Sequence, residues 1–300
     1  MQLTLGPVLF NWNPDQWRDF YFRIAEEAPV DTVVVGEIVC SKRSPFIADQ
    51  IPTVIERLVA CGKRVLLGSL TLMSLPRERR QMAELAETKD FMMEVNDLSC
   101  LGMIGGRPFA VGPFVNIYNE AAAAYFASRG AERICLPPEL PLPSIREIAA
   151  ALPEVAFEVF SFGRVPLAIS ARCYHARLNK LSKDNCRFVC DKDPDGLAVL
   201  TLDNEPFLAM NGVQTLSYAC TSLLGEIEDL AAAGVRALRL SPQHCDMVAI
   251  AKAFRSVIDG KDSAAEAARA LSLIYPIPIT NGFLYGKPGS TFTVNAGARK

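Results

Sequence analysis

The chain has 300 residues, with 31 Lys and Arg against 33 Asp and Glu and a net charge of −2. Half of it is apolar, enough for a large core in one α/β barrel or two ordinary domains. Acids and bases are interspersed, which argues against nucleic-acid binding and against a polybasic membrane anchor.

Met1 to Pro7 has neither the charged nor the apolar region of a signal peptide, and no apolar run approaches a spanning length. A soluble, cytoplasmic protein is expected, in which nine cysteines need an explanation other than disulfides.

In chain order, Leu3 to Phe10 reads as a first strand, and Asn13-Pro14-Asp15 opens an amphipathic helix to about Ala28. Thr32 to Val39 is a second, valine-rich strand, followed by a helix over Ile47 to Ala60. Arg64 to Leu72 and the charged helix Pro76 to Thr88 come next. Phe91 to Val95 is a fourth strand, and Pro108 to Asn116 a fifth with its helix from Asn119 to Ser128. Arg133 to Leu136 is a sixth, with a helix Ser144 to Leu152 capped by Ser144. Val155 to Ser161 is a seventh. A helix over Leu224 to Ala233 and an eighth strand, Val235 to Leu240, lead into helices that run to about Tyr275.

Eight short strands alternating with helices predict parallel strands covered by helices. Eight is the number that closes a (β/α)8 TIM-like barrel, irregular or regular. An open doubly wound sheet has the same local pattern, although no glycine fingerprint follows the first strand. The reading is one barrel-like domain over 1–300. A cysteine-bearing insert, 170–223, follows the seventh strand, and a loop-rich tail occupies 277–300. The insert contains a hairpin, Leu197 to Leu202 and Pro206 to Met210, turning at Asp203-Asn204.

Cys173, Cys186 and Cys190 fall within eighteen residues of the insert, and Cys40 ends the second apolar run. In a barrel both places lie on the carboxyl rim of the strands, where active sites are built. Four thiolates suit a [4Fe–4S] cube and equally a structural zinc. Cys61, Cys100, Cys135, Cys220 and Cys245 stand singly in helical or apolar contexts and read as packing residues.

The run Glu158-Val159-Phe160-Ser161-Phe162-Gly163, with Ser170-Ala171-Arg172-Cys173 after it, resembles the signature of the collagenase-like peptidase family, E-V-F-V-H-G-A-L-C-V-A-Y-S-G-R-C. Asn185-Cys186-Arg187-Phe188-Val189-Cys190 resembles that family's N-R-G-x-C-A-x-x-C-R segment. The signature histidine falls on Phe162 and its first cysteine on Pro166, two departures that argue against proteolysis. Gly36-Glu37-Ile38-Val39-Cys40-Ser41-Lys42-Arg43 is similar to a segment of the family's iron–sulfur branch that serves ubiquinone synthesis.

The resemblance implies a barrel-like α/β domain holding a [4Fe–4S] cluster on Cys40, Cys173, Cys186 and Cys190. It further implies a subunit of an O2-independent hydroxylase in anaerobic ubiquinone biosynthesis, working as a heterodimer with a paralogue, UbiU. The implied substrates are a ubiquinone precursor, presented by a lipid-binding accessory protein, and a prephenate-like oxygen donor. An RNA-base hydroxylase and a peptidase-like activity are the alternatives within the family.

No catalytic residue is identified from the sequence. The candidates are His175, two residues past a proposed ligand, and His244, after the eighth strand. Glu37 and Arg172 flank proposed ligands and can tune the charge there. A solvated loop is the commoner setting for His175, as a solvated pair is for Lys42 and Arg43, which can otherwise bind an anionic donor. Asn116, Asn119 and Glu120 follow the fifth strand with the same ambiguity.

Overall fold

A computed structural model describes residues 1–294. Its strands are β1 Gln2–Leu5, β2 Thr32–Val35, β3 Arg64–Gly68, β4 Met92–Val95, β5 Phe109–Val111, β6 Ala131–Leu136, β7 Ala156–Ile169, β8 Leu197–Leu200, β9 Pro206–Asn211, β10 Gln214–Ser222, β11 Ala237–Leu240 and β12 Ile279–Thr280. Strands β1 to β7 pair in sequence as parallel neighbours, and β11 pairs in parallel with both β1 and β7. The eight therefore close on themselves as a TIM barrel, and the open sheet is excluded. Helices Pro14–Glu27, Ile51–Ala60, Pro76–Glu87, Glu120–Ser128, Leu142–Ala151 and Met247–Ile258 lie between or after the strands.

Strand β7 departs from the plain barrel. Its first half pairs inside the barrel with β6 and β11, and its second half runs on beyond the rim to pair antiparallel with β10. β9 and β8 extend this sheet outward, so the insert is a β-sheet rooted in a barrel strand. The expected hairpin is present as β8 and β9. The strand β10 was not anticipated, and Cys220 sits within it.

Other expectations need correction. The first strand ends at Leu5 and leaves a buried loop, Gly6 to Trp12, on the rim. The second ends at Val35 because Gly36, at φ 133°, turns the chain out of the extended region. Cys40 therefore lies in a loop five residues past the strand. Helix Leu142–Ala151 follows Pro141, which sets its entry geometry; Ser144 is inside the first turn and caps nothing. Asn119 does cap its helix, its side chain accepting the Ala122 N–H at 2.8 Å. The tail is partly regular: β12 pairs with β10, and Asn281 bonds Thr293. Residues 295–300 of that tail lie outside the described residues.

The barrel interior is charged where aliphatic layers are usual. Arg239 on β11 bridges Glu94 of β4 and Glu158 of β7. Arg133 of β6 bonds Glu158 at 2.8 Å, Thr4 of β1 at 2.8 Å and Gln2 at 2.6 Å. All four charged side chains are buried, and two cations balance two anions. Burial by itself would raise the Glu158 carboxyl, but Arg239 and Arg133 hold it down at about 2.

Replacing Arg239 with Met leaves buried Glu94 without its cation and Glu158 with Arg133 alone, so stability should fall by about 3–5 kcal/mol, read as a lower urea midpoint. A carboxyl depressed on folding adds stability above its unfolded value of about 4.3. In the wild-type protein that contribution should fade as pH falls from there through about 2. Urea midpoints that do not change with pH across this window would refute it.

Candidate metal centre

Two segments build the site. The first is the loop after β2. Oε1 of Glu37 accepts the backbone N–H groups of Val39 at 2.7 Å and Cys40 at 2.9 Å, forming a tight turn that presents Cys40. Burial pushes the Glu37 carboxyl up, against the pull of Arg43 and these two N–H groups.

The second segment is 173–195 of the insert. Cys173 precedes the short helix Tyr174–Leu178, and its sulfur accepts the Ala176 N–H at 3.5 Å. Between Cys186 and Cys190 the chain passes through two successive non-glycine residues in the left-handed region, Arg187 at φ 49° and Phe188 at φ 53°. Such a pair costs energy and persists only where its surroundings dictate it. The turn it makes puts Phe188 edge-on against Phe46, ring centroids 4.6 Å apart, and leads into the 3-10 helix Val189–Lys192 that carries Cys190.

Cys40, Cys173, Cys186 and Cys190 line one cavity, together with Arg43, His175, Lys42, Lys183, Phe188 and Val189. Residues 133 positions apart in the chain (Cys40 and Cys173) are thus neighbours. All nine cysteines are free, and the other five stand outside this cavity. Burial pushes the thiols of Cys40, Cys173 and Cys190 up, and the Arg43 guanidinium pulls each of them down. Among the described residues no three His, Cys, Asp or Glu side chains sit close enough to share one metal ion.

Asn211, at the end of β9, binds the segments together. Its Oδ1 accepts Arg43 Nη2 at 2.7 Å, while its Nδ2 donates to the carbonyls of Cys190 at 3.0 Å and Asp193 at 2.8 Å. Arg43 Nη1 reaches the Leu9 carbonyl at 3.1 Å, and Asn11 Nδ2 donates to the Cys190 sulfur at 3.5 Å. Further along, Trp12 Nε1 donates to the Pro194 carbonyl at 2.7 Å and Arg164 pairs with Asp195 at 2.9 Å.

The remaining candidates separate clearly. His175 is 1 % exposed, which overturns its reading as a solvated histidine. Its Nδ1 accepts the Gly212 N–H at 3.0 Å, so the proton of the neutral ring is on Nε2, which donates to Asp193 at 2.9 Å. It lines the cysteine cavity. His244 is exposed, bonded to Gln16 at 2.8 Å and edge-on to Trp12; it is on the same rim but not in the cavity. Arg172 is exposed, and only its backbone is held, by Ser170.

Lys42 bonds the Lys183 carbonyl at 2.7 Å, and Arg43 is buried, so the two are not a solvated pair. Asn116 and Glu120 are exposed, and neither lines the cavity. Sequence reasoning missed Asn211, Asn11 and the structural part of Arg43. A polar Asn ending an apolar strand, directly before Gly212, was the available signal.

Two other cavities bear on the site. One of about 1050 Å³ opens at the opposite rim, beside Gln2, Arg133 and Arg236, and contains no cysteine. The cysteine cavity is the better candidate although smaller, because it is at the carboxyl end of the strands and gathers the reactive groups. The other, about 380 Å³, is lined by Ile47, Ile51, Ile55, Met82 and Leu85 and ends at Glu37, the residue that holds the Cys40 turn.

A model of peptidase family U32 matches residues 20–293 of the chain. Among solved structures, a protein from Coccidioides immitis with the provisional description fructose-1,6-biphosphate aldolase is similar at 10% identity and a TM-score of 0.40, over 91% of this chain and 88% of that one. The strand pairing, and not that likeness, establishes the barrel.

Replacing Asn211 with Ala leaves Arg43 and two carbonyls short of a buried partner, at about 1–3 kcal/mol for each group left unsatisfied. The variant should unfold at lower urea, and Cys190 should react faster with a thiol reagent under native conditions. An unchanged Cys190 rate would mean that the segments are held without this residue.

Proposed function

Because the chain belongs to peptidase family U32, we propose that it is an iron–sulfur subunit of the kind typified by the ubiquinone biosynthesis protein UbiV, holding a [4Fe–4S] cluster on Cys40, Cys173, Cys186 and Cys190. In this reading it acts with the paralogue UbiU in O2-independent ring hydroxylation of a ubiquinone precursor. The observation that carries it is the gathering of four thiols, from two distant segments, around one cavity.

The residues fit the group. Four soft sulfur donors are the usual complement of a cube, and the Arg43 guanidinium, whose buried Nε makes no hydrogen bond of ordinary geometry, lines the same cavity. When bound, the cluster supplies one-electron chemistry.

The chain's own groups supply the setting. Glu37 orients the Cys40 loop, and Asn11 and Asn211 hold Cys190 and its carbonyl. Lys42 and Lys183 place positive charge at the cavity, where an anionic oxygen donor such as a prephenate-like dicarboxylate would be attracted. The cavity of about 380 Å³ beside Glu37, with an isoleucine- and leucine-rich wall and polar groups such as Ser44, Gln81 and Glu84, suits an apolar ring carrying polar substituents. Among the described residues no helix is long and apolar enough to cross a membrane; in this reading a lipid-binding accessory protein presents the prenylated substrate.

Proteolysis is disfavoured at the signature position itself. Phe162 is fully buried, edge-on to Phe254 and Tyr275, and offers no proton-transferring group. RNA-base hydroxylation is disfavoured by the net charge of −2.

Protein purified without air should be brown and contain about four iron and four sulfide per chain. Cys40→Ala, Cys173→Ala, Cys186→Ala and Cys190→Ala should each lose the iron, and Cys61→Ala, at an exposed cysteine, should keep it. Zinc without sulfide in the wild-type protein, or equal iron loss in Cys61→Ala, would overturn the reading.

A further inference from the structure

Four cationic or imidazole side chains line the cysteine cavity: Lys42, Arg43, His175 and Lys183. Three of them already have protein partners. Lys42 Nζ bonds the Lys183 carbonyl and faces Asp184 at 3.7 Å. Lys183 Nζ bonds the Ala171 carbonyl at 3.0 Å. Both ring nitrogens of His175 are engaged, one by Gly212 and one by Asp193.

Arg43 differs. It is 2 % exposed, its Nη1 and Nη2 are held by Leu9 and Asn211, and its buried Nε makes no hydrogen bond of ordinary geometry although the guanidinium reaches the Cys190 sulfur. Guanidinium nitrogens never lose their protons in proteins, so this N–H is a permanent donor. A buried donor left unpaired is uncommon and calls for an explanation. Its surroundings give one: the guanidinium interacts with the sulfurs of Cys40 and Cys190 and lines the cavity they share.

Resting on the cluster reading above, we propose that Arg43 is a positioning residue for the cluster's charge, donating from Nε to a sulfur of the bound cluster and raising its reduction potential. A thiolate-ligated cube is an anion and becomes more negative when it takes up an electron. A fixed cation and a hydrogen bond to sulfur both favour the more negative form, in a buried site where screening is weak. The hydrogen bonds that Arg43 donates to Leu9 and Asn211 keep the guanidinium in place in both states. Gly212 is part of the same fit, since a Cβ there would come within 2.4 Å of Arg43 Nη2.

The test is a mediator-controlled redox titration, with dithionite as reductant and electron paramagnetic resonance as readout, on anaerobically purified wild-type protein and on Arg43→Gln and Arg43→Lys. Arg43→Gln should retain iron and lower the reduced-to-oxidised ratio at a fixed ambient potential at least tenfold, about 59 mV in midpoint for a one-electron couple. Arg43→Lys, which keeps the charge and loses the Nε–H, should fall between it and the wild type.

An iron-replete Arg43→Gln with the wild-type midpoint overturns the inference while leaving the cluster reading intact. A wild-type protein without iron and sulfide overturns both. If Arg43→Gln cannot hold iron, the wild-type protein labelled with ¹⁵N-arginine decides. A hyperfine coupling from one guanidinium nitrogen to the reduced cluster supports the inference, and its absence overturns it.

Discussion

The hydrogen bond between Arg43 and Asn211 is the interaction on which the site depends. It joins a loop at the end of β2 to the last residue of β9, 168 positions apart in the chain. Both groups are fully removed from water, so neither can exchange the bond for a solvent contact. Asn211 accepts from Arg43 and donates from Nδ2 to the backbone of the segment that carries Cys190. One small network therefore sets the position of Cys190 and of Arg43 at once, and Glu37 sets Cys40 from the other side. Thiols on surface loops would otherwise be free to move apart.

The unusual length of β7 makes this network possible. A barrel strand normally stops at the rim and hands over to a flexible loop. Here β7 carries the sheet beyond the rim, β10 and β9 pair with it, and the cysteine segment is suspended across that platform. Rigidity at the site is inherited from the barrel through continuous strand pairing. The salt-bridged interior below, with Glu94, Glu158, Arg133 and Arg239 mutually satisfied, ties β4, β6, β7 and β11 together by charge as well as by packing. Its stability is conditional on every partner being present, since each of these ions would be costly alone in that environment.

Two departures from the family signature lie away from the cysteine cavity. Phe162 and Pro166 occupy positions where the signature has a histidine and a cysteine. Phe162 is core, sealed by Phe254 and Tyr275. Pro166 lies in the β7–β10 ladder opposite Leu216. The barrel accommodates both residues without either lining the cysteine cavity, as expected when function resides in side chains grafted on a stable fold.

Local pattern alone determined a good deal. Valine-rich runs alternating with amphipathic helices define eight parallel strands, because buried strands and one-sided helices each leave a periodic trace. The grouping of Cys173, Cys186 and Cys190 in an insert was equally legible, as was the hairpin turning at Asp203-Asn204. Strand ends were not, because Gly36 and the rim after Leu5 stop pairing through backbone geometry that apolar content does not record.

Only the tertiary structure closed the barrel through β11 and β7, extended β7 into the insert, and brought Cys40 to the other three cysteines. It also decided that His175 and Arg43 are buried and His244 is not. Contacts between residues more than a hundred positions apart leave no periodic mark in a sequence. They are selected by which buried polar groups can find partners once the chain has folded, as Arg43 found Asn211.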